Sequence, residues 1–223
     1  MSEGSFEEAL ELIEGRDFES AVRILLAMED AESHPLHSYY TGLCYTHLER
    51  YDEALLYLEQ VAGNQLDFVH LFQVRMILGY VYSITDRKRL AEFEFRRLLE
   101  EGFESAKVYS ALAHALYGQN KTEESIALLE KALNLEPDNS NALNSLGYIL
   151  ADQEKRLPMA LVYCQKALKK SPDNPAYLDS LGWALFKNGE LKEARRHLKR
   201  ALERAPRNAD ISRHLKTVME GLA

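Results

Sequence analysis

The stretch PAYLDSLGWALFKNGELKEARRHLKRALERAPRN, residues 175–208, decides the fold. Leu178, Leu181 and Leu185 recur at helical spacing, and so do Leu191, Ala194, Leu198, Ala201 and Leu202. Between the two sets lies Lys187-Asn188-Gly189-Glu190, a turn signal in which glycine can take a positive φ. Pro206 closes the second helix, because proline cannot continue one. The unit reads as a helix–turn–helix hairpin.

Working outward, SLGWALF at 180–186 has a near copy in SLGYILA at 145–151 and a shorter echo in LGYVYS at 78–83. Gly147 and Gly182 stand 35 residues apart (182 − 147), and Gly79 and Gly147 stand 68 apart (147 − 79), or two steps of 34. A step of that size predicts stacked helical hairpins rather than one globular core.

The residues at each step resemble the tetratricopeptide repeat. That family wants large residues at positions 4, 7, 11 and 24, small ones at 8, 20 and 27, and proline at 32. The unit at 175–208 places Leu178, Leu181, Gly182, Leu185, Ala194, Leu198, Ala201 and Pro206 there. The unit at 140–174 supplies Leu143, Leu146, Gly147, Leu150, Ala160, Cys164, Ala167 and Pro172 after one inserted residue. The unit at 106–139 supplies Tyr109, Leu112, Ala113, Leu116, Ser125, Leu129, Ala132 and Pro137. Upstream the pattern is looser. The stretch 72–105 keeps Leu78, Gly79, Tyr82, Ala91 and Phe95 but has Arg75 at position 4 and Phe103 in place of proline. The stretch 35–68 keeps Gly42, Tyr45, Ala54 and Leu58, and a further unit at 2–34 rests on Ala9, Ala21 and Leu25. Residues 209–223, with Ile211, Leu215, Val218, Met219 and Leu222 on one stripe, read as a capping helix over an otherwise exposed apolar end. The resemblance implies an all-α, right-handed superhelix of five to six hairpins plus this cap, one array over residues 1–223. Gly63-Asn64-Gln65 marks a slight break in it.

In the family the first helix of each unit lines the concave side, so positions 2, 5, 6, 9, 12 and 13 point into a groove. By that rule the groove-lining residues here are Tyr39, Leu43, Tyr80, His114, Tyr117, Asn141, Asn144, Tyr148, Asp179, Trp183 and Phe186. Rings flanked by carboxamides suit an extended peptide, since Asn can both donate to and accept from a peptide backbone. One subgroup clamps the C-terminal carboxylates of heat-shock chaperones with Lys at 5, Asn at 9 and Arg at 6 of successive units. Here Lys107 holds a position 2 but Ala111 stands where the arginine belongs, so that clamp is not expected.

Charge and composition narrow the function further. The chain is 46% hydrophobic and 28% charged, the balance of a folded chain rather than a disordered one. Its net charge of −8 argues against nucleic acid as a partner. Residues 1–105 hold 21 acidic and 9 basic side chains and residues 106–223 hold 14 and 18, giving −12 and +4. Cys44 and Cys164 fall on core positions and read as buried free thiols. His34 and His37 flank a proline and make a poor metal pair, and no cofactor is expected. Neither HExxH, GxSxG, a phosphate-cradling glycine loop nor CxxC occurs, so the expectation is a non-catalytic protein. No apolar run of about 18 residues occurs, and the acidic start lacks a basic n-region. The chain reads as cytoplasmic, or as periplasmic or membrane-anchored had a signal segment been removed. The expected function is a protein-interaction module, a scaffold or chaperone-like adaptor holding a partner's peptide or helix, in the style of bacterial array proteins. The alternatives are a self-assembling scaffold, with a homo-oligomer formed through the array ends, or an accessory subunit of a pilus, secretion or RNA-handling complex.

Overall fold

A computed structural model describes residues 2–28, 36–62 and 67–222. Every regular element among them is a helix: α1 (Ser2–Glu14), α2 (Phe18–Ala27), α3 (His37–His47), α4 (Tyr51–Ala62), α5 (Phe68–Ile84), α6 (Lys88–Glu100), α7 (Ala106–Tyr117), α8 (Thr122–Leu135), α9 (Ser140–Asp152), α10 (Leu157–Lys170), α11 (Pro175–Lys187), α12 (Leu191–Arg204) and α13 (Ala209–Glu220). They pair as six successive hairpins followed by α13. The chain divides into two compact units, Met1–Glu104 with three hairpins and Ser105–Ala223 with three hairpins and α13. The loop 63–65 and His34 lie outside the described residues.

Each hairpin closes at the small residue of position 8. A Cβ added to Gly182 would stand 2.6 Å from Leu198 Cγ and 3.3 Å from the Ala194 carbonyl oxygen. One added to Gly147 would stand 2.6 Å from Cys164 Sγ and 3.0 Å from the Ala160 carbonyl oxygen. Gly42 meets Leu58 and Ala54 in the same way, and Gly79 meets Phe95. In the hairpins with glycine at position 8 that residue therefore packs under position 24 of its own second helix, and at Gly42, Gly147 and Gly182 also against position 20. Ala113 takes the place in the fourth hairpin, and there Ser125 Oγ donates to the Ala113 carbonyl at 2.7 Å, so the buried hydroxyl is satisfied. Both cysteines are buried free thiols, and burial pushes each up to about 12.

The turns inside hairpins share one backbone solution. Gly189 has φ 86°, and the equivalent residues Arg16, Glu49, Asp86, Asn120 and Glu154 all hold positive φ between 53° and 63°. Between hairpins of the second unit, a proline ends one helix and an asparagine two residues on starts the next. Asn139 accepts from the Ala142 N–H at 3.0 Å, Asn174 from Ala176 at 2.9 Å and Asn208 from Ile211 at 3.0 Å. Pro158 sits in the first turn of α10, where its missing donor costs nothing.

The departures in the third hairpin have structural partners. Helix α5 starts one turn before residue 72, because Asp67 caps it by accepting from the Val69 and His70 N–H groups. Phe103, standing where proline was expected, stacks on Phe68 and packs against Phe72. Arg75, at a position that is apolar elsewhere, is 7% exposed and holds two carboxylates: Nη1 donates to Glu94 at 2.9 Å, and Nε and Nη2 donate to Glu101 at 3.0 Å each. Burial holds the Glu94 carboxyl above its usual range, and Arg75 opposes that rise. A raised folded-state value means stability falls as pH climbs from the unfolded value through the folded one. Replacing Arg75 by methionine enlarges that rise and leaves a buried charge unpaired. We expect Arg75→Met to cost about 3–5 kcal/mol at pH 7 and distinctly less near pH 5, measured by urea denaturation. An equal loss at both pH values would contradict this assignment.

Candidate functional site

Within the second unit the first helices of successive hairpins touch, α7 against α9, α9 against α11 and α11 against α13. Their partners α8, α10 and α12 stand farther apart, so the row of first helices forms the inner wall of this unit. A cavity of about 410 Å³ opens on that wall. The sequence-derived residues His114, Tyr117, Asn144, Tyr148 and Asp179 line it, and α13 closes it with Asp210, Arg213 and His214.

A polar network holds the rings in place. Asp152 accepts from Tyr117 Oη at 2.6 Å and from Trp183 Nε1 at 3.1 Å, one carboxylate tying three hairpins together. The Trp183 ring stacks on His214 (centroids 4.3 Å apart, 20° between planes) and on Phe186 at 5.1 Å. His214 Nδ1 donates to both oxygens of Asp179 at 3.0 Å, which fixes the ring against α11. Burial, with the Asp152 and Asp179 carboxylates adding to it, pushes the Tyr148 hydroxyl up to about 12, so it is a neutral donor at physiological pH. Asn144 Oδ1 is buried without a hydrogen-bond partner.

The other expected residues sit differently. Asn141 is exposed and accepts from Tyr177 Oη at 2.6 Å, outside the cavity lining. Trp183 and Phe186 are half-buried and lie outside the cavity lining, Trp183 behind His214 and Phe186 behind Trp183. In the first unit Tyr80 is 51% exposed and Leu43 half-buried. Tyr39 is 5% exposed, donates to Gln73 Oε1 at 2.9 Å and packs edge-on against Tyr40 and His70. His37 is buried with Nε2 2.9 Å from the Leu25 carbonyl oxygen, and among the described residues no three His, Cys, Asp or Glu side chains converge on a metal position. No helix among them is long and apolar enough to cross a membrane.

The tetratricopeptide-repeat pattern matches residues 6–65 and 110–175 and, in a second form, 153–216, more than half of the chain. The chain belongs to the tetratricopeptide-repeat family. Over 173 residues it is 35% identical to the TPR repeat-containing protein PA4667 of Pseudomonas aeruginosa; the match covers 74% of this chain but only 28% of that longer protein. Its fold is similar to TTC0263, a thermophilic TPR protein of Thermus thermophilus, at TM-score 0.65 and 19% identity, over 84% of this chain and 100% of that one. It is also similar to YrrB, a TPR protein described as having an unusual peptide-binding site, at TM-score 0.57 and 17% identity, over 85% and 96% of the two chains.

In this tetratricopeptide-repeat protein the wall contributed by α13 is what sequence reasoning missed. The signal was present: with residue 209 as position 1 of a further unit, Arg213 and His214 fall at positions 5 and 6, both groove positions. If Asp152 organises the rings, Asp152→Ala strands two donors and costs about 1–3 kcal/mol, and Asp152→Asn costs less. The emission of Trp183, the single tryptophan, shifts in the alanine variant. Unchanged stability and emission would dismiss the network.

Proposed function

We propose that the inner wall of the second unit binds an extended peptide or helix of another protein, and that the chain acts as a non-catalytic scaffold or adaptor. The observation that carries this reading is the cavity. Half-buried rings of Tyr117 and Tyr148 stand beside an unpartnered acceptor on Asn144, an arrangement that offers apolar contact and backbone hydrogen bonding together. The polar groups around the rings are engaged in holding them rather than poised for proton transfer: Asp152 faces two donors and Asp179 faces His214. YrrB, with a similar fold, is described as binding peptide, which fits the same use of the scaffold.

Tyr148→Ala is the discriminating variant, because Tyr148 lines the cavity without being hydrogen-bonded into the network. Selection from a library of random peptides on the wild-type chain is expected to enrich a motif whose affinity drops about tenfold or more in Tyr148→Ala, with helicity unchanged by circular dichroism. Enriched peptides that bind the variant equally well would move the site elsewhere, and no enrichment would remove the peptide-binding reading.

A further inference from the structure

Helix α12 carries cations that its own fold does not use. Its inner face, Ala194, Leu198 and Ala201, is fully buried. On the outer side Lys192, Arg195 and Lys199 follow one another at i, i+3 and i+7, all exposed and, among the described residues, without an ion-pair partner. Arg196 beside them reaches only Glu193 of the same helix, at 2.7 Å. The helix dipole does not account for this, since Lys192 lies in the first turn, where a cation is disfavoured.

Helix α1 shows the opposite sign with the two steps reversed. Phe6 and Ala9 are buried, and Glu7, Glu11 and Glu14 at i, i+4 and i+7, with Glu8 beside them, are exposed and unpaired among the described residues. No basic residue occurs before Arg16. Each stripe runs over seven residue steps, about 10.5 Å of helix axis, so the two match in length and oppose in charge.

We infer that α1 of one copy of this chain docks on α12 of a second copy through these stripes. A polyanion such as nucleic acid fits less well, since it would meet the −12 of residues 1–105 along with the basic stripe. The contact joins two different surfaces of the chain, so one copy can both offer and accept it. Exposed ion pairs are individually weak, which makes the association dependent on concentration and salt.

Light scattering on the full chain at hundreds of micromolar tests this. Wild type should exceed the monomer mass at about 30 mM salt and return to it at about 500 mM. Lys192→Glu/Lys199→Glu should be monomeric at low salt, as should Glu7→Lys/Glu11→Lys, both with wild-type helicity. Mixing the two variants should restore association, because each then offers the other a complementary stripe. A monomeric wild type at low salt, reversal variants that still associate, or a mixture that stays monomeric would each overturn the inference. So would a wild type whose α12 stripe binds heparin but not a second copy.

Discussion

The whole structure depends on one close approach, repeated once per hairpin. Where position 8 is glycine the crossing leaves no room for a side chain: at Gly147 and Gly182 even a methyl group would stand 2.6 Å from the facing side chain. Dispersion at such a crossing is gained over many atom pairs at once, and it requires backbones rather than side chains to meet. The facing helix answers with a small residue at position 20 and a larger one at position 24 that lies over the glycine. Because the approach is made within each hairpin, the first helices are left free to meet their successors and form a wall.

That wall explains why the candidate site is built from rings and carboxylates rather than from loops. Side chains one to five residues past the crossing residue project from α7, α9 and α11, so Tyr117 and Trp183 both reach Asp152 although they lie 35 and 31 residues from it. The asparagines that cap α9, α11 and α13, and Ser105 that caps α7, set where those helices begin and thus the register of the wall. A binding surface held by backbone packing can change its side chains without changing its shape, which is how one family scaffold serves different partners.

The hairpins were legible in the sequence because their constraint acts on residue size: Gly42, Gly79, Gly147 and Gly182 and their facing alanines cannot vary much. Pro137, Pro172 and Pro206 marked the ends of the second helices because proline cannot continue one, whereas the capping asparagines two residues on emerged only with the structure. The site was less legible, because a position number gives a direction and not a neighbour. Tyr39 and Tyr148 occupy comparable groove positions, yet Tyr39 is buried against Tyr40, His70 and Gln73 while Tyr148 borders the cavity. Arg75 looked like a degenerate core residue until Glu94 and Glu101 were seen to reach it, two partners that lie 19 and 26 residues away and carry no local signal.

The most direct measurement of the central claim is a double-mutant cycle on Gly182 and Leu198, followed by chemical denaturation. Gly182→Ala alone is predicted to cost about 1–3 kcal/mol despite alanine's better helix propensity, because its methyl meets Leu198 Cγ. In Gly182→Ala/Leu198→Ala the two costs are predicted to fall short of their sum by about 1 kcal/mol, since the truncated side chain makes room for the methyl. A stabilising Gly182→Ala, or costs that simply add, would mean that the helices are not held by contact at that crossing.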